Sequence, residues 1–133
     1  RLLARGDIRA ASPEQLDKAV ATMQAVVAKN RPRTETKLTM VYRYPPMPPL
    51  PKNLEVLAHL DVVGRDLGRG PVIATDVAAR GAGDSAFASP HAAVLDDRGP
   101  FGGGGHTANE TIDLKSLAPQ AAQAQVLIYR LTR

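Results

Sequence analysis

A proline-rich stretch divides the chain and limits what its middle can form. Residues 45–51 read PPMPPLP, with five prolines in seven positions. Because proline has no backbone N–H and a fixed φ, this stretch fits neither a regular helix nor a central strand. We expect a stiff, extended connector over residues 44–52, since patterned sequence flanks it on both sides. The alternative is a proline-rich ligand for a small recognition domain.

The segment before the connector has the pattern strand, helix, strand. The first ten residues indicate a strand. Ser12 then predicts a helix N-cap, with a proline at the first helical position and Gln15 completing a capping box. Apolar residues continue at helical spacing, and residues 34–42 alternate as in a strand. We therefore expect a β-α-β unit over residues 1–43, which is too small for independent stability.

The segment after the connector alternates helix and strand, which is typical of an α/β layer. Asn53 predicts the N-cap of a second helix. Residues 72–75 and 92–95 indicate short buried strands, and residues 85–88 a short helix. A closing helix follows, with one apolar face. That face comprises Leu117, Ala121, Ala124, Ile128 and Leu131.

Composition excludes several function classes. The 133 residues suit a domain of ordinary size, and no apolar run is long enough to span a membrane. The net charge of +4 is scattered, so we expect no nucleic-acid partner. The chain has no cysteine, so a metal would need His, Asp or Glu ligands. This absence fits the cytoplasm or an exported protein, and the compartment stays open.

The strongest candidate for chemistry is a run of four glycines, residues 102–105, that ends in His106. Glycine permits positive φ and close backbone approach, so the run predicts a shaped turn that presents the imidazole. His106 is then a metal ligand, or a structural histidine bonded to the backbone of its own turn. Glu110 would orient the turn or the imidazole, or be a charge at a helix start. A third reading is an anion-binding loop, which the lack of a lysine disfavours.

Two loops follow predicted strands. Residues 81–84 come after the strand at 72–75, and residues 102–107 come after the strand at 92–95. Because sites in α/β sheets lie at the carboxyl ends of strands, we expect both loops to line one cleft.

An ordered set of short motifs covers essentially the whole chain and resembles a known family. The motifs are DIR at 7–9, SPEQ at 12–15, YPPM at 44–47, RGAGDSAF at 80–87, LDDRG at 95–99 and GHTANETIDL at 105–114. In this order they are similar to the C-terminal half of the zinc-dependent exopeptidases, which include glutamate carboxypeptidase, aminoacylase and acetylornithine deacetylase.

The resemblance implies a fold, a metal and a substrate class. The fold would be α/β, part of a zinc-peptidase α/β sandwich (residues 53–133) preceded by part of a β-α-β lid domain that mediates homodimerisation (residues 1–43). The complete enzyme would hold two zinc ions, with His106 as one ligand. It would cleave an amide bond next to a free carboxylate, in a small peptide or an N-acyl amino acid.

The resemblance also implies a substrate-binding loop, onto which Gly81, Ala82, Gly83 and Asp84 map. Many family members have glycine where this chain has Ala82. Arg43 lies near the lid hinge, where some members keep a carboxylate-binding arginine and where a solvated arginine is the alternative.

The remaining zinc ligands, the glutamate general base and a lid histidine have no match in this chain. We expect them in residues upstream of Arg1, so this fragment alone should be inactive. The alternative function is a non-catalytic binding or dimerisation module.

Overall fold

The computed structural model describes residues 2–42, 44–77 and 83–133. Its elements, in chain order, are helices α1 (Pro13–Val27), α2 (Pro51–Asp66) and α3 (Ser85–Ala88), strands β1 (Gly102–Gly103) and β2 (Thr111–Ile112), and helix α4 (Leu114–Leu131). None of the helices in the described ranges combines the length and the apolar character that a membrane crossing needs.

The chain forms two compact units. One contains Arg1–Pro49 and Thr75–His91, and the other contains Leu50–Ala74 and Ala92–Arg133. Residues 75–91 therefore group with the N-terminal segment, which the sequence did not indicate. The division into a lid part, a connector and a catalytic part stays a prediction.

Helix α1 begins as its capping signal predicts. Ser12 is the N-cap in an extended conformation, and its hydroxyl accepts a hydrogen bond from the Gln15 backbone N–H at 3.3 Å. The Gln15 side chain reaches back to the N–H of Ala11 at 3.1 Å, one residue before the usual capping-box partner. Within the helix only Val20 is buried, and Val26 is 66% exposed. The unit therefore has little core of its own.

The proline-rich stretch contacts the short helix α3 in the same unit. The rings of Tyr44 and Phe87 lie 5.5 Å apart at a tilt of 50°. The Ser85 hydroxyl donates to the Met47 sulfur at 3.5 Å. The first part of the stretch is thus packed against α3 and is not an isolated spacer.

The prediction that Asn53 caps α2 is wrong. The helix begins two residues earlier at Pro51, with Leu50 as the N-cap. Proline suits this first position because its missing N–H would have no helical partner there. Asn53 is buried in the first turn, where its side-chain oxygen accepts a hydrogen bond from the Val94 N–H at 3.0 Å. It ties α2 to the segment before the glycine run.

Helices α2 and α4 pack together and supply the core of the second unit. Leu60, Val63 and Leu127 are its buried apolar residues. Gly64 permits the approach, because a Cβ at this position would lie 2.9 Å from Val72 Cγ2 and 3.0 Å from Gln123 Nε2. An ion pair between Arg130 and Asp66, at 2.7 Å, also joins the two helices.

The closing helix exists, but its buried face is not the predicted apolar one. The buried residues of α4 are Ser116, Gln120, Gln123 and Leu127. From the predicted face, Leu117, Ile128 and Leu131 are 50%, 62% and 48% exposed. The helical period was right and the direction of the face was wrong, because the polar side chains of α4 have hydrogen-bond partners inside the unit.

The four predicted strands, at 1–10, 34–42, 72–75 and 92–95, are absent from the described residues, which contain only the β1–β2 pair. An alternating or apolar run of residues indicates only a preference for extended backbone. A strand also needs a hydrogen-bonded neighbour, which no local pattern supplies. In one of these segments the Val72 N–H bonds instead to the Asp61 carboxylate, at 2.7 Å.

We predict that Asp61 makes the second unit less stable in acid. Its carboxylate accepts from the Val72 N–H and, at 2.9 Å, from Arg65 Nε; these two hydrogen bonds hold the pKa of Asp61 below its ordinary value. A carboxyl group with a lowered folded pKa stabilises the fold above its unfolded pKa, and this contribution is lost as the pH falls through the folded pKa.

The measurement is the free energy of unfolding from pH 7 to pH 2 in wild type and Asp61→Asn. The wild type should have the larger free energy of unfolding near pH 7, and this difference from the variant should disappear below the ordinary aspartate pKa of 3.8. A difference that stays constant across this range would contradict the assignment.

Candidate functional site

The glycine run forms one arm of a small antiparallel hairpin. Gly102 pairs with Ile112 and Gly103 pairs with Thr111, so residues 104–110 form the turn between β1 and β2. His106 stands in this turn, with φ of 64°. The run therefore builds the shaped turn that the sequence predicts.

Two of the four glycines are required by the geometry of the hairpin. A Cβ on Gly102 would collide with the Thr111 carbonyl oxygen. Gly104 has φ of +66°, and a Cβ there would lie 2.9 Å from the Asn109 carbonyl oxygen. Gly103 has only an ordinary contact, and Gly105 has nothing within 4 Å. The run thus combines two glycines that the geometry requires with two positions where a Cβ would meet no obstacle.

The hairpin is fixed to the start of α4. Asp113 is the N-cap of this helix, and its side chain accepts from the Lys115 N–H. Its own N–H donates to the Phe101 carbonyl at 2.7 Å, while the Phe101 N–H donates to the Ser116 hydroxyl at 2.7 Å. The buried Ser116 hydroxyl in turn donates to the Asp113 carbonyl at 2.6 Å. Both ends of the hairpin are thereby held by one helix turn.

Ser116 is a positioning residue that the sequence reasoning missed. It stands one residue away from the predicted apolar face of the closing helix. The signal was a serine in the first turn after an aspartate N-cap, where short polar side chains commonly bond to nearby backbone.

Internal hydrogen bonds engage several backbone groups of the turn. The Thr107 N–H donates to the Gly104 carbonyl at 3.1 Å, and the Glu110 N–H donates to the Thr107 carbonyl at 3.2 Å. The Thr107 hydroxyl accepts from the Asn109 N–H at 3.2 Å. An anion cradle needs several amides that point at an outside ligand. This internal bonding weighs against the anion-loop reading.

The Glu110 carboxylate bonds to the backbone of His106, and no bond to the imidazole is formed. Its Oε2 accepts from the His106 N–H at 3.1 Å. Glu110 lies before the N-cap of α4, so it is not a charge in the first turn of that helix. Of the three roles considered for Glu110, this contact corresponds to orienting the turn.

The His106 side chain is exposed, and its ring makes no hydrogen bond to any described residue. This contact pattern differs from that of a structural histidine whose ring bonds to its own turn. The backbone is held in place while both ring nitrogens stay available to solvent or to a ligand.

His106 and Glu110 do not by themselves form a metal centre. A catalytic zinc needs about three protein ligands and a water. No group of three or more His, Asp or Glu side chains is suitably placed for a metal within residues 2–42, 44–77 and 83–133. In the described part of the chain, His106 is therefore an exposed candidate ligand and not part of a complete site.

The remaining predicted site residues are less fully placed. Gly81, Ala82 and Arg43 lie outside the described residues. Gly83 and Asp84 lead into α3, where Asp84 is exposed and its side chain makes no capping hydrogen bond. These two residues belong to the first unit, and His106 belongs to the second. The expected shared cleft stays a prediction.

Comparison with protein-family profiles, with curated proteins and with solved structures gave no match to this chain.

We predict that the four glycines differ in their tolerance of alanine. Gly102→Ala should open the β1–β2 pair, because its Cβ meets backbone. Gly104→Ala should cost about 1–2 kcal/mol from the left-handed conformation alone. Gly103→Ala and Gly105→Ala are the matched controls and should leave the hairpin intact.

Amide hydrogen exchange at Asp113, whose N–H bonds to Phe101, measures the opening of the hairpin. Exchange should accelerate in the first two variants and not in the controls. Equal exchange in all four would show that this turn does not depend on the glycine positions.

Proposed function

We propose that this chain is the C-terminal portion of a zinc-dependent metallohydrolase, an exopeptidase or amidohydrolase that cleaves an amide bond next to a free carboxylate. His106 would be one metal ligand, and the other ligands and the general base would come from residues outside this sequence. When bound, the zinc pair would polarise the scissile carbonyl and supply hydroxide. The family motifs in the sequence are the basis of this proposal.

The observation that best supports it is the way the turn presents His106. The backbone N–H of His106 is held by Glu110, while the imidazole is exposed and has no hydrogen bond to a described residue. A metal ligand needs a fixed direction and an available nitrogen lone pair. The hairpin fixes the backbone, and the free ring keeps its nitrogens available.

The outer face of α4 gives a second line of support. Leu117 and Ile128 are at least half exposed, and Leu114 is 73% exposed. Soluble proteins seldom leave large contiguous apolar patches in water. In the proposed enzyme, the rest of the catalytic α/β sandwich would cover this face.

The substrate and the assembly state follow from the same proposal. The substrate would be a small peptide or an N-acyl amino acid. The chain would dimerise through the lid part, residues 1–43, whose few buried side chains give it little independent stability.

We predict that zinc added to this chain alone binds weakly and prefers His106. The imidazole resonances of His106 should shift at lower zinc concentration than those of His59 and His91, because Glu110 offers a carboxylate in the same turn. The latter two histidines are also exposed and serve as internal controls. No amide hydrolysis should accompany binding, since one imidazole cannot complete a catalytic site.

His106→Ala should remove the early response and leave the other two resonances unchanged. Equal responses of all three histidines would argue against a metal role for the turn. Zinc-dependent hydrolysis by these 133 residues would contradict the proposal that the catalytic machinery lies elsewhere.

A further inference from the structure

Two arginines in the second unit converge on the same pair of glutamine side chains. Arg69 Nη1 donates to Gln120 Oε1 at 3.1 Å and to Gln123 Oε1 at 3.2 Å. Arg98 Nη2 donates to the same oxygens, at 3.4 Å and 2.7 Å. Since both nitrogens lie close to one oxygen of Gln123, the two guanidinium groups are neighbours. Two like charges are therefore held together at the buried face of α4.

The described residues provide no carboxylate ion pair for either arginine. The ion pairs in these ranges join Arg9 to Asp7, Arg65 to Asp61 and Arg130 to Asp66. Burial lowers the pKa of Arg98, Arg69 lowers it further, and Asp97 opposes the shift. The protein thus keeps two partly buried cations side by side, which is unfavourable without a compensating negative charge.

The two guanidinium groups also keep unused donors. Each arginine has five N–H bonds. Only Nη1 of Arg69 and Nη2 of Arg98 bond to described residues, and Arg69 Nη1 additionally donates to the Pro119 carbonyl at 2.7 Å. Both arginines line a surface hollow of about 230 Å³, whose apolar lining includes Ile73 and Phe101. This volume suits a small molecule and not a nucleotide or a peptide.

A purely structural role would not require this arrangement. The glutamine oxygens need hydrogen-bond donors, which a neutral amide or hydroxyl group provides without charge repulsion. Two arginines, by contrast, match the planar, bidentate recognition of carboxylate and phosphate groups. The glutamines fix the direction of the guanidinium groups and are themselves neutral, so they do not offset the two positive charges.

We propose that the pair formed by Arg69 and Arg98 binds a small oxyanion, a carboxylate or a phosphate group. The ligand would occupy the hollow and pair its negative charge with both guanidinium groups. An apolar substituent would lie against Ile73 and Phe101, which are 83% and 59% exposed. Neither His106 nor Glu110 lines this hollow, and the proposal does not depend on the hydrolase activity.

The test is an NMR titration of the 133-residue chain with phosphate, acetate and hexanoate at constant ionic strength. The side-chain amide signals of Gln120 and Gln123 should shift and saturate. Hexanoate should bind more tightly than acetate, because its chain covers the apolar side of the hollow. Saturation by phosphate and not by the carboxylates would identify a phosphate group as the ligand.

Arg98→Gln should weaken binding about tenfold or more, because a charge-assisted hydrogen bond and one of two cations are lost. Arg31→Gln is the matched control, since it removes the same charge from an exposed residue. Arg98→Gln should leave the melting temperature of the free chain unchanged or raise it, since repulsion is relieved. Arg98→Lys keeps the charge and should weaken binding less.

Two results would overturn the proposal. One is a wild-type chain whose signals do not saturate with any of the three anions. The other is an equal loss of binding in Arg98→Gln and Arg31→Gln, which would indicate general attraction to a basic protein.

Discussion

The close approach of α2 and α4 is the constraint on which the second unit depends. Its apolar core is small and consists of Leu60, Val63 and Leu127. Gly64 lies beside these residues and leaves room for Val72 and Gln123, whose atoms a Cβ would meet at 2.9 Å and 3.0 Å. Because α4 packs against α2 in this way, the position of the first turn of α4 within the unit is fixed. The hairpin that carries His106 is hydrogen-bonded to this first turn through Ser116 and Asp113.

The same packing explains why a polar face of α4 is buried. Gln120 and Gln123 accept hydrogen bonds from Arg69 and Arg98, and Gln120 Nε2 donates to the Gly99 carbonyl at 2.9 Å. The described residues contain no buried side-chain nitrogen or oxygen without a partner. Polar groups that have hydrogen-bond partners can be buried with little loss of folding free energy. The apolar residues of α4 are consequently exposed. In the proposed enzyme, the rest of the catalytic domain would bury them.

Several local signals in the sequence predicted local structure, although Asn53 does not cap α2. The cap of α1, the short helix at residues 85–88 and the shaped turn before His106 all depend on neighbouring residues, and all are present. The strands and the direction of α4 depend on partners distant in the chain, which periodicity does not identify. The glycine run indicated that a turn exists. Only the backbone geometry shows that Gly102 and Gly104 are required, while the other two glycines are not. The Arg69–Arg98 pair had no sequence signal, because its members are far apart in the chain.

We propose that the hairpin presents His106 as a metal ligand of a larger hydrolase. The zinc content of the longer protein to which we propose this chain belongs tests this directly. We expect two zinc ions per chain, with a lower content in His106→Ala and an unchanged content in the matched variant His91→Ala. Cleavage of an N-acyl amino acid or small peptide should be lost with the metal. Full zinc content and normal turnover in His106→Ala would show that His106 is not a zinc ligand.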